Sequence, residues 1–253
     1  MNRAALLFAA LLCACSPQRT AETPGPAAEG AVLRLATEGA NAPFNFYQGE
    51  QLTGFEVELG NALAQQMGMR AEWTAQPFES LLIGLEGQRY DLVIASHGVT
   101  EERAKAVDFT DPHYCTGGII VTRSGGPGTA AELAGKTVAV QVGTTYLQAV
   151  QDLPGVGEVR SLPKDTDALQ NLISGRADAW VSDRFVAAGA REAQPQARLE
   201  TGDLLFQEKI AMAVAKGNDS LRERVNTALA ELEENGTYAR LSQQYFGEDI
   251  RCD

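Results

Sequence analysis

Thr137-Val138-Ala139-Val140-Gln141-Val142-Gly143-Thr144-Thr145 decides the fold. Strand-forming residues run straight into a glycine and two threonines, and Leu147 and Val150 beyond them share one face of a helix. A strand that opens directly into a helix is half of an α/β unit, whose sheet is largely parallel because each return strand comes back past a helix. The pattern continues downstream. Val159 and Leu162 mark a short strand, Ala168, Leu169, Leu172 and Ile173 a helix stripe stopped by Gly175, and Ala179-Trp180-Val181 the next strand. Upstream, Gly117-Gly118-Ile119-Ile120-Val121 is extended and leads into a loop from Ser124 to Thr129.

The same rhythm has already occurred once. Val32 to Thr37 reads as a strand, and Phe55, Leu59, Leu63 and Met67 form the buried stripe of an amphipathic helix that stops at Gly68. Ala71 to Thr74 is a short strand, Phe78 to Leu85 a helix, and Tyr90 to Ala95 a strand. At the far end Ser220 and Glu223 fit a capping box ahead of the apolar face Leu221, Val225, Ala228, Leu229 and Leu232. Gly236 breaks this helix, and Tyr238, Leu241 and Tyr245 mark another. Two α/β units in series with a helical tail predict a two-lobed α/β protein.

The N-terminal residues set the compartment. Arg3 precedes the apolar run Ala4 to Leu12, too short to span a bilayer, and Leu12-Cys13-Ala14-Cys15-Ser16 resembles a bacterial lipobox. That resemblance implies a signal segment over 1–14, cleavage before Cys15 and lipid on Cys15. Residues 15–31 are rich in Pro, Ala, Thr, Glu and Gly and read as a flexible tether. Of the formal net charge of −12, residues 1–14 contribute only Arg3, so cleavage makes the chain more acidic. With no Lys/Arg cluster, nucleic acid is not an expected partner. Cys115 and Cys252 remain as an even pair, which suits a disulfide in an oxidising compartment, with free thiols as the alternative. His97 and His113 are the only histidines, so no metal and no cofactor is expected.

Five segments then match one family in order. They are Ala42-Pro43-Phe44-Asn45-Phe46; Leu52 to Leu59; Asp91 through Arg103 to Pro112; Val142-Gly143-Thr144-Thr145; and Gly175-Arg176-Ala177-Asp178-Ala179. The tail Glu234 to Gly247 matches as well. Together they resemble the bacterial extracellular solute-binding proteins of the polar amino-acid uptake systems. The resemblance implies the two-lobed periplasmic-binding-protein fold of class II, with crossings near Gly118–Thr122 and Ala211–Ala215. It places lobe 1 at 32–118 plus 215–250 and lobe 2 at 119–214. It also implies a monomer, held to the membrane through its lipid alone, that delivers a small polar solute to an ABC permease on the periplasmic or cell-surface side.

Arg103 is the first candidate site residue, because a guanidinium presents parallel donors to both oxygens of a carboxylate and keeps its charge when buried. The family gives it the solute's α-carboxylate. Gly143, Thr144 and Thr145 open a helix whose free N–H groups can hold the same carboxylate, or simply make a capped turn. Asp183, beyond the Ala179–Val181 strand, takes the α-ammonium in the family, and Asp178 is expected to order the turn before that strand. Glu38 matches an acidic position that touches the solute's side chain, and Phe78 an aromatic that packs on it. Ser96, Gly98 and Thr100 complete the expected set. Three positions depart from the family: Asn41 replaces an aromatic, Gly98 a Ser or Thr hydroxyl, and His97 an apolar residue. A cyclohexadienyl dehydratase-like enzyme is the competing reading, with Glu38, Glu56 or His97 as the general acid. A sensory or accessory binding lipoprotein is another.

Overall fold

The computed structural model describes residues Gly30–Cys252. The expected signal segment, Cys15 and residues 15–29 of the tether lie outside the described residues. Strand β1 (Val32–Thr37) buries Leu33, Leu35 and Ala36. The short strands β2 (Ala40–Asn41), β3 (Asn45–Gln48) and β4 (Gln51–Thr53) then make a small antiparallel sheet. Gly54 links it to α1 (Phe55–Gln66) at φ 119, where a built β-carbon would overlap the Phe44 carbonyl. Phe55, Leu59 and Leu63 of α1 are fully buried.

Next come β5 (Arg70–Ala75), α2 (Phe78–Glu86) and β6 (Leu92–Val93). Strand β6 is shorter than the Tyr90–Ala95 expectation because the chain turns out of the sheet at Ser96, where φ is 54. Helix α3 (Glu101–Ala106) leads into the 17-residue strand β7 (Val107–Arg123). Beyond it lie β8 (Thr137–Gln141), α4 (Thr145–Asp152), β9 (Glu158–Leu162), α5 (Asp165–Ile173), β10 (Ala179–Asp183) and α6 (Arg184–Ala193). A second 17-residue strand, β11 (Leu199–Ala215), precedes α7 (Asp219–Glu234) and α8 (Thr237–Phe246).

The large sheet has the order β5-β1-β6-β11-β7-β10-β8-β9. Each flank is parallel, β5-β1-β6 at one end and β10-β8-β9 at the other. Strands β7 and β11 run antiparallel between them and belong to both halves. Strand β10 pairs with Gly118–Thr122, and β6 pairs with Ala213–Val214. Next to these expected crossing segments, 114–118 of β7 pairs with 206–210 of β11. Since β7 and β11 are continuous through both halves, nothing in the sequence pattern marks the change.

The tail packs on the first half. The Gln66 side chain donates to Glu231 at 2.7 Å, the Tyr238 ring meets Phe55 edge-on at 5.5 Å, and the Tyr245 hydroxyl donates to Glu58. The expected capping box is not what starts α7: Asn218 is the cap, accepting from the Leu221 N–H at 3.3 Å, and Ser220 lies inside the helix. Asn218 stands immediately before the first helical residue, where a side-chain oxygen reaches the free N–H groups. Cys115 of β7 is bridged to Cys252, with Cα atoms 4.9 Å apart across 137 residues of sequence. Among the described residues no helix is long and apolar enough to cross a membrane.

Candidate functional site

A cleft between the two halves collects residues from strand ends and helix starts, the place where α/β sheets present ligand groups. The first half contributes Glu38, Asn41, Phe78, Ser96 and Arg103. The second contributes Gln141, Thr144, Thr145, Tyr146, Asp165, Ser182 and Asp183. Of the ten expected ligand residues, Gly98 and Thr100 are not on this lining.

Arg103 is on α3, a short helix started by Thr100, whose hydroxyl accepts from the Arg103 N–H at 3.2 Å. Thr100 therefore positions Arg103. The guanidinium spans the cleft, donating through Nη1 to the Gly98 carbonyl at 2.7 Å and through Nη2 to the Gly143 carbonyl at 2.9 Å. Its carbon lies 5.7 Å from the centre of the Phe78 ring. His97 stacks on Phe78 with centroids 4.3 Å apart. Burial and then the Arg103 charge hold the His97 pKa well below its ordinary value, so the ring is neutral. Phe78 is thus both a cleft residue and a core anchor.

Thr144 is the cap of α4. Its hydroxyl accepts from the Leu147 N–H at 3.1 Å and donates to the Gln141 carbonyl at 2.8 Å. The Thr145 hydroxyl is engaged too, donating to Glu208 of β11 at 2.8 Å. Asn41, in place of an aromatic, donates to the Ser96 hydroxyl at 3.1 Å. Ser96 is in turn fixed by Glu56, which accepts from its N–H at 2.8 Å and its hydroxyl at 3.1 Å. Glu56 also accepts from the Asn45 amide at 2.8 Å and meets His113 Nε2 at 3.0 Å. Fully buried in this network, Glu56 does not line the cleft, and neither does His97.

Carboxylates dominate the rest. Glu38 accepts from the Gln141 amide across the cleft at 2.6 Å, and burial pushes its pKa up to about 7. Asp183 ends β10 and caps α6, accepting from the Phe185 N–H at 2.6 Å and the Val186 N–H at 3.3 Å. Its second oxygen has the Tyr146 hydroxyl at 3.4 Å, and burial brings its pKa to about 7. Asp165 opens α5 and accepts from Trp180 Nε1 and the Ser182 hydroxyl, each at 2.8 Å, with burial raising its pKa to about 6. Behind Thr145, burial also raises the pKa of Glu208. None of these four has a Lys, Arg or His nitrogen within ion-pair distance among the described residues. Asp178 lies outside the cleft and accepts from the Thr137 N–H at 2.9 Å, ordering the β10 approach.

Sequence reasoning missed Gln141, Tyr146, Asp165, Ser182 and Glu208. The rule that ligands meet the carboxyl ends of parallel strands points to Gln141 and Ser182. Glu208 is not on this lining, and only the fold brings it behind Thr145, from a strand distant in sequence.

The chain matches the family described as bacterial extracellular solute-binding proteins, family 3, over residues 33–248. It is 35% identical over 228 residues to the L-cystine-binding protein TcyJ of Escherichia coli, covering 88% of this chain and 85% of that one. It is 31% identical to the L-arginine-binding protein of Pseudomonas aeruginosa, covering 99% of this chain and 98% of the relative. The structure of an ancestral arginine-binding protein bound to arginine superposes with a TM-score of 0.83 at 35% identity, covering 87% of this chain and all of that one (100%). By the family match and by this two-lobed neighbour, the chain belongs to the bacterial extracellular solute-binding proteins of family 3.

Proposed function

We propose that this protein captures an amino acid with a cationic side chain, of which L-arginine is the type, by closing its halves on it. The carrying observation is the charge of the cleft. Arg103 is its one guanidinium, whereas Glu38, Asp165 and Asp183 line it without a cationic partner. A zwitterionic head supplies one negative and one positive group. With Arg103 on the carboxylate and Asp183 on the ammonium, Glu38 and Asp165 are left to receive a second positive charge at the end of the side chain. Buried carboxylates cost stability until such a group arrives. Thr144 and Thr145 offer backbone donors to the carboxylate, Phe78 packs on the aliphatic stem, and Asn41 and Ser96 hold the floor. The first half, with the tail, and the second half are the two lobes. Capture takes place outside the cytoplasm, with Cys15 as lipid anchor, a monomer as the working unit and an ABC permease as recipient. Relatives named for arginine and cystine binding support an amino-acid ligand.

A calorimetric screen of the purified protein tests this against arginine, lysine, ornithine, glutamine, cystine and succinate. Tightest binding of arginine or another basic amino acid supports the proposal, and a preference for succinate overturns it. A dehydratase-like reading has one observation in its favour, since a carboxyl group with a pKa near 7 can act as a general acid. Of the three candidate acids only Glu38 lines the cleft. Incubation with prephenate decides: no phenylpyruvate formed supports capture without chemistry.

A further inference from the structure

We propose that Glu208, which stands off the cleft lining and directly behind Thr145, is a ligand-selecting residue: its carboxylate occupies the space of the side chain that position 98 lacks and, with Asp183, receives the ligand's α-ammonium group. The inference rests on the amino-acid reading above.

Glu208 belongs to the part of β11 that passes between the halves, paired there with Thr116 of β7. A β-carbon built on Gly98 would overlap Glu208 Oε2 and would lie 3.1 Å from Glu208 Cδ and 3.2 Å from Thr145 Cγ2. A side chain at 98 and a carboxylate at this point are therefore mutually exclusive. Position 98 is where the family resemblance leads one to expect a hydroxyl residue. Here glycine leaves the space open, and the crossing strand fills it with an acid.

The hydrogen bonds of that acid are incomplete. Oε2 accepts from the Thr145 hydroxyl at 2.8 Å, whereas Oε1 is buried without a partner. The Tyr146 hydroxyl, 3.4 Å from Asp183 Oδ2, also interacts with Glu208. One phenolic proton cannot serve two carboxylates. Asp183 and Glu208 are close enough for the charge of Glu208 to raise the Asp183 pKa. Arg103 acts on Glu208 through its charge but makes no ion-pair contact with it. An ammonium group supplies what this arrangement lacks, three N–H donors and a positive charge. The simpler role, in which Glu208 only fixes the Thr145 side chain, explains the Oε2 bond but not the open Oε1.

The test compares the full-length wild type with Glu208→Gln and Gly98→Ala. It records ligand-free melting temperature and calorimetric affinity for L-arginine and for 5-guanidinopentanoate, which is arginine without its α-amino group. Both variants are expected to bind arginine at least tenfold more weakly and to discriminate less between the two compounds. Glu208→Gln is expected to melt no lower than wild type without ligand, since the neutral amide removes an unrelieved buried acid. A lower melting temperature in Glu208→Gln with undiminished discrimination overturns the proposal and leaves Glu208 as a support for Thr145. Undiminished arginine affinity overturns it as well. Failure of the wild type to bind any amino acid removes the capture reading and this inference with it, a result distinct from wild-type binding to which Glu208 is indifferent.

Discussion

At pH 7, binding of L-arginine is expected to release about one proton per protein molecule. Glu38 and Asp183 each have a pKa of about 7, so without ligand each is about half protonated, and Asp165 at about 6 adds roughly a tenth of a proton. A bound cation favours the ionised carboxylates and drives those protons out. At pH 6 the count should rise to roughly 2 protons, and at pH 9 it should vanish. Affinity follows the same sign. Each proton released is worth about tenfold per pH unit, so binding should tighten roughly 100-fold from pH 6 to pH 8 and then level off. Ligand-free stability has the opposite slope. These groups hold their protons in the folded protein between their unfolded values near 4 and their folded values, so stability should fall as pH rises from about 4 to 7 and then level off. Calorimetry in two buffers of different ionisation enthalpy counts the protons. Glu38→Gln should cut the count at pH 7 to about half. Proton uptake on binding, or a count unchanged in Glu38→Gln, would refute the reasoning.

Arg103→Ala should weaken solute binding by roughly 2–5 kcal/mol, the range for truncating one partner of a buried hydrogen-bonded charge pair, and leave the far-ultraviolet circular dichroism unchanged; unaltered calorimetric affinity would remove Arg103 from the site. In exported protein Cys115 and Cys252 should resist alkylation without reductant, and Cys252→Ser should lower stability by about 2–4 kcal/mol in urea denaturation; two alkylated thiols in the mass spectrum would contradict the bridge. Gly54→Ala should cost roughly 2–4 kcal/mol, because φ 119 and the Phe44 carbonyl leave no place for a methyl group; a urea midpoint equal to wild type would show that the α1 start relaxes freely.

Periodicity made most of the fold legible. The stripe Phe55, Leu59, Leu63 is the buried face of α1, and Val138 to Val140 and Ala179 to Val181 are buried strand cores. What escaped was short or unpatterned. Strands β2 to β4 are two to four residues each, too short for an alternation to show. Strand β11 carries Thr201, Asp203, Gln207, Glu208 and Lys209, so its first part reads as polar loop. Its regularity comes from pairing with β7, a tertiary effect. Helices α3 and α6 were also missed: α3 buries no residue, and α6 is alanine-rich, with only Phe185, Val186 and Ala187 buried near its start. In the site, residues on strand ends and helix starts were accessible to reasoning, and eight of the ten expected residues reach the cleft. Hydroxyl roles were less legible, since Thr100 and Thr144 are committed to helix caps. Glu208 could not be found without knowing that β11 passes beside Gly98.

The crossing ribbon of β7 and β11 has a consequence for how few contacts the ligand needs. Two strands hydrogen-bonded along their length resist sliding and splaying but bend together as one strip. Register shifts on β11 flank residues 206–210 on both sides, at Thr201/Leu204 and Leu204/Phe206 before them and at Ile210/Ala211 and Ala211/Ala213 after them. Beside them Cys115 ties the strip to the tail through its bond to Cys252 and through its N–H, which donates to Ile250 at 3.2 Å. A ribbon of two paired strands makes the bend the softest coordinate expected between the halves. A solute that touches one group on each side fixes that coordinate completely, so closure is a search along a line and not through six dimensions. A molecule as small as an amino acid can therefore set the position of a body many times its mass.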